Sequence, residues 1–128
     1  MEWKIYPQGL GHFVRHTANY RDLPIYITKK GLASYDRVEN GQVINEQHIR
    51  YLNAHQDQVE GAIAEGHGVR GYTIWSLMDN YEWAVGYDKR FGLVHIDFDT
   101  LDRTPKASWH AVQAVMVGRG VNEPLTHC

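Results

Sequence analysis

The chain is expected to fold as an α/β protein built on a parallel sheet, on three observations. Two short stretches rich in β-branched and aromatic residues, 23–28 and 69–78, read as strands. The second, VRGYTIWSLM, is apolar almost throughout, as a strand covered on both faces is. Helical periodicity precedes, separates and follows the two strands, and strands alternating with helices join through crossovers into a parallel sheet.

The first helix is expected over residues 8–20, after Pro7, with Leu10, Phe13, Val14 and Ala18 as a loose apolar face. The strand over 23–28, Leu-Pro-Ile-Tyr-Ile-Thr, leads into a loop over 31–43 punctuated by Gly, Asn and Asp. The second helix has the clearest boundaries. Asn45 can cap it, Glu46 suits its positive end, and Gly66 or Gly68 can close it. Ile49, Leu52, Val59 and Ile63 fall on one face. After the second strand, Val94, Ile96 and Phe98 alternate with His95, Asp97 and Asp99, which suggests a half-exposed strand or hairpin arm. Thr104 followed by Pro105 is expected to start a last helix, carrying Trp109, Val112 and Met116.

Composition excludes several roles. With 43% apolar and 22% charged residues over 128 positions, the chain has the balance of a globular domain. A formal charge of -2 and the lack of a basic run argue against nucleic acid or an anionic membrane as partner. Cys128 is the only cysteine, so no disulfide forms within the chain, in keeping with a reducing compartment. No secretory leader or apolar span is evident, and a cytoplasmic location is the expectation. His12 and His16, four apart on a helix, are the best candidates for a metal, but no cysteine or carboxylate completes the set. No metal is expected. Nor do Lys29, Lys30, Arg37 and Arg50 make a phosphate loop, and no nucleotide motif is present.

Five segments together resemble glycoside hydrolase family 1, the β-glucosidase family. They are Trp3-Lys-Ile-Tyr-Pro-Gln-Gly-Leu10, residues 23–28, the stretch from Arg70 to Trp75-Ser-Leu-Met-Asp-Asn-Tyr-Glu-Trp83, Gly86-Tyr-Asp-Lys-Arg-Phe-Gly-Leu93, and Arg103-Thr-Pro-Lys106. The resemblance implies a partial (β/α)8 TIM barrel: the last two βα units and the helix before them. Residues 1–118 are then the C-terminal part of the barrel and 119–128 a disordered tail. A whole barrel takes about 250 residues, so the remainder is expected from a separate N-terminal part or from a second copy of the chain.

The resemblance also implies roles. Trp75, Glu82 and Trp83 match residues that hold the sugar where the bond breaks, Phe91 a wall beside its outer hydroxyls, and Trp3 an aromatic on the leaving-group side. The chemistry suits them: an indole packs on the C–H face of a pyranose, and a carboxylate accepts from its hydroxyls. Taken alone, Trp75 in an apolar strand reads better as core. The family hydrolyses β-glycosides with retention, without cofactor, using two carboxylates about 5 Å apart. Its nucleophile follows the seventh strand in Thr-Glu-Asn-Gly, whereas this chain has Thr28-Lys29-Lys30-Gly31. Lys29 thus stands where the attacking carboxylate belongs, and the acid/base is expected in a part of the family sequence this chain does not match. The Asn122-Glu123-Pro124 tripeptide resembles the acid/base motif but has no strand before it to aim it. The expectation is a glycosidase fragment inactive by itself; the alternatives are half of a split glycosidase and a non-catalytic sugar-binding or interaction module.

Overall fold

The computed structural model describes residues 4–118; Trp3 and the 122–124 tripeptide lie outside them. The chain divides into two compact units. The first takes residues up to 30 and 50–74, the second 31–49 and the residues from 75 onward.

In the first unit, helix α1 (Pro7–Ala18) begins at Pro7, where a missing N–H costs nothing. Strand β1 (Ile25–Lys30) pairs in parallel with β2 (Val69–Ile74), and helix α2 (Glu46–Ala64) is the crossover between them. The parallel α/β arrangement is therefore as expected. Its core is Val14 of α1 with Tyr51, Leu52, His55, Val59 and Ala62 of α2. Gly11 on α1 is buried, and a Cβ there would displace only the flexible ends of Arg15 and Gln58. Phe13, expected on the apolar face, is 67% exposed instead.

The second strand differs from expectation in two ways. It stops at Ile74, so Trp75 to Met78 leave the sheet. Neither β1 nor β2 contains a fully buried residue. Covering both faces needs neighbouring strands and helices, and this sheet has two strands with two open edges.

In the second unit, β3 (Val94–Ile96) and β4 (Arg103–Pro105) form an antiparallel hairpin, but the arm ends at Ile96, short of Phe98, and His95, expected on its exposed face, is buried. Helix α3 (Ala107–Met116) starts two residues later than Thr104 and Pro105 suggest. Those two residues belong to β4, because Thr104 pairs with His95 and Pro105 with Val94, leaving Lys106 at the helix N-cap position. Asn45 ties the start of α2 to that of α3: its amide donates to Ser108 Oγ at 2.9 Å and its oxygen accepts from the Ser108 N–H at 3.0 Å. Val43, Phe91, Leu93, Ile96, Ala111 and Val112 fill the core.

Candidate functional site

The segment that leaves β2 is laid against the strand-like run 91–94. The Ser76 N–H donates to the Phe91 carbonyl at 3.2 Å, Leu93 N–H to Ser76 at 2.9 Å, Val94 N–H to Leu77 at 2.9 Å, and Asp79 N–H to Val94 at 3.0 Å. The Trp75–Ser76 peptide is cis. Two glycines permit the close packing here. A Cβ on Gly31 would overlap the Trp75 carbonyl, and one on Gly92 would overlap the backbone between Met78 and Asp79.

Beyond Asp79 the chain makes a tight turn. Glu82 N–H donates to the Gly86 carbonyl at 2.8 Å, and a single 3₁₀ turn (Trp83–Val85) fills the bend. Gly86 has φ 59°, a left-handed conformation that suits glycine. Trp83 is also left-handed, at φ 39°, an uncommon conformation for a bulky side chain. Its indole is 83% exposed and Trp75 is 37% exposed, so neither is core. Glu82 is half-buried beside them in sequence. Phe91, expected as a wall beside the sugar, is buried at 7% exposure within the core of the second unit. Tyr81, Tyr87 and Phe98 form a chain of ring contacts, with centroids 5.3 and 4.2 Å apart, that backs the turn.

A buried ionic network lies under this segment. Lys106 Nζ is 2.6 Å from Asp36 Oδ2 and 2.8 Å from Asp79 Oδ1, and the lysine side chain is wholly buried. Asp79 also accepts from the Gly92 N–H at 2.9 Å, the Arg90 guanidinium at 2.8 Å and the Ile96 N–H at 3.4 Å. Two cations face two carboxylates, so the set is formally neutral, as buried charges must nearly be. His48 is wholly buried close by, and desolvation holds its pKa down to about 4, against the opposing pull of Asp36. Sequence reasoning assigned Lys106, Asp79, Asp36 and Arg90 no role. The available signal was a lone lysine opening the apolar helix of residues 107–116.

In the first unit, Lys29 lies within β1, exposed, one residue from its C-terminal end, rather than in the loop after the strand. Lys30 is half-buried, its ammonium 5.2 Å from the centre of the Tyr51 ring, and burial lowers its pKa. The His12 and His16 rings stack 6.1 Å apart on the exposed side of α1. Among the described residues no group of three or more His, Cys, Asp or Glu could hold a metal.

The same chain has recognisable relatives. The family model "Glycosyl hydrolase family 1" matches residues 1–121. A 6-phospho-beta-galactosidase of Streptococcus mutans is 45% identical over 84% of this chain and 23% of its own length. A 1,4-beta-D-glucan glucohydrolase of Thermotoga neapolitana is 40% identical over 96% of this chain and 28% of its own. The solved beta-glucosidase from Thermotoga maritima in complex with castanospermine superposes with a TM-score of 0.90 at 38% identity, over 94% of this chain and 28% of that one. The chain thus spans about a quarter of the length of these relatives. On the family match across nearly its whole length, the chain belongs to glycosyl hydrolase family 1.

Proposed function

We propose that this chain is the C-terminal portion of a retaining β-glycosidase of the β-glucosidase type. Its β1 and β2 are then the seventh and eighth strands of a (β/α)8 barrel, with α1 the helix before them. Trp75, Glu82, Trp83 and Phe91 hold the sugar ring at the cleavage subsite, and Trp3 borders the leaving group. The observation that carries the site is Trp83, an indole held out to solvent next to Glu82 in a turn pinned by the Glu82–Gly86 hydrogen bond. An exposed aromatic face beside a carboxylate is what a pyranose offers its C–H face and hydroxyls to.

The chain by itself does not hydrolyse glycosides. Retention needs a carboxylate that attacks the anomeric carbon and a second that protonates the leaving oxygen. Lys29 occupies the first position. Its ammonium repels an oxocarbenium-like centre, and its neutral amine forms no glycosyl ester. The β1–β2 pair, open at both edges, favours a second reading, half of a split glycosidase whose other half pairs along those edges.

Titrating the purified chain with methyl β-glucoside and following tryptophan fluorescence tests the site. Saturable quenching that disappears in Trp83→Ala supports it. Quenching that persists unchanged in Trp83→Ala contradicts it.

A further inference from the structure

We propose that Lys106 is a positioning residue: acting through Asp79, it sets the shape of the 75–83 segment. Its effect on sugar affinity rests on the function proposed above; its effect on the segment does not.

Asp79 sits between Trp75 and Glu82, three positions before the carboxylate and four after the indole. A carboxylate has about four acceptor sites, and Asp79 fills them with Lys106 Nζ, the Gly92 N–H, Arg90 and the more distant Ile96 N–H. Those donors come from the run that the 75–79 backbone lies against and from the start of α3, so Asp79 fastens the segment to both. Lys106 holds a second carboxylate, Asp36, on the loop that follows β1. The ammonium therefore touches both the 75–83 segment and the 31–43 loop through ionic hydrogen bonds of 2.8 and 2.6 Å. Arg90 reinforces the same point, because its guanidinium bonds Asp79 and the Ile96 carbonyl at 2.8 Å each.

A neutral hydrophobic group would fill the space of the lysine stem at less desolvation cost. What it would not do is fix where Asp79 points. Directional, fully satisfied buried networks select one arrangement from several of similar packing quality. In the turn that follows, Trp83 faces solvent and the Tyr81 ring meets Tyr87 at 5.3 Å.

Hydrogen exchange on the full chain, read amide by amide, tests this in Lys106→Met. The amides of Ser76, Asp79, Leu93 and Val94 are expected to exchange at least about tenfold faster, with those of Leu52 to Ala62 in α2 unchanged, as for a local opening. Affinity for methyl β-glucoside is expected to fall by about tenfold in the same variant. Lys106→Arg, which keeps charge and donors, is expected to restore part of the protection. A uniform rise across both sets, or unchanged ladder amides, overturns the proposal. So does unchanged sugar affinity when the ladder has opened. If wild-type chain shows no sugar response, the sugar site fails while selective ladder exchange still supports the positioning role. Should Lys106→Met not fold, Asp36→Asn replaces it; this leaves the Asp79 donors in place and is expected to raise the same exchanges about threefold.

Discussion

Lys106 Nζ lies 2.8 Å from Asp79 Oδ1, with both side chains at zero exposure. Asp79 belongs to the segment that carries Trp75, Glu82 and Trp83, so a buried ion pair anchors the stretch of chain that bears the candidate sugar contacts. Breaking such a pair from one side leaves a charge uncompensated, and that is costlier than the pair is stabilising. Asp79→Ala is accordingly expected to lower stability by about 3 kcal/mol or more. Urea unfolding followed by near-UV circular dichroism measures it, and a shift below about 1 kcal/mol is the contrary result.

Gly92 packs against the same segment. A Cβ there would overlap the Met78–Asp79 backbone, which has no flexible end to swing away. Gly92→Ala is expected to cost about 1–3 kcal/mol, as overpacking does, and to speed exchange at the Asp79 and Val94 amides. Gly41, whose Cβ would meet nothing within 4 Å, is a useful comparison for space, although its φ of 75° adds strain of its own.

His48 makes stability depend on pH. Its folded pKa is about 4 against an ordinary 6.5, because burial disfavours the charged ring. Between those values the unfolded chain binds the proton and the folded one does not. The contribution is thus fully present above about pH 6.5 and is lost as pH falls toward 4. It amounts to roughly 3 kcal/mol over the window. His48→Gln is expected to flatten the rise in urea midpoint between pH 4.5 and 6.5. His55 and His95, also lowered chiefly by burial, leave a residual slope. An identical slope in wild type and variant contradicts the assignment.

Trp83 should separate binding from stability. With the side chain 83% exposed, Trp83→Ala is expected to change unfolding free energy by no more than about 0.5 kcal/mol while removing the fluorescence response to methyl β-glucoside. Loss of fold in this variant would show that the indole packs where the structure leaves it free.

The parts legible in the sequence were those with a local cause. The α2 helix forms where helical spacing at Leu52 and Val59 and the closing glycines suggest, but Ile63, expected on the same face, is 49% exposed, and the Asn45 side chain bonds Ser108 of α3 instead of capping α2. The parallel relation of β1 and β2 followed from the intervening helix. What depended on distant partners was misread. Residues 75–78 are as apolar as the strand before them, yet they leave the sheet to pair with 91–94. Thr104 and Pro105 have the chemistry of a helix start, but pairing with His95 and Val94 claims them for a strand. The aromatic and acidic positions of the candidate site were visible through the motif, and the exposure of Trp83 decides against core. Lys106 was invisible as a functional residue because its two carboxylates lie 70 and 27 positions away in the chain.

The proposed function is that of a chain carrying sugar-binding residues of a family 1 glycosidase without hydrolytic machinery of its own. Its most direct test is incubation of the purified chain, wild type and Lys29→Glu, with nitrophenyl β-glucoside. No nitrophenol release above buffer is predicted for either, because the family's acid/base motif lies in a part of the family sequence that this chain does not match. Release that purifies with the chain and is lost in Trp83→Ala would contradict the account.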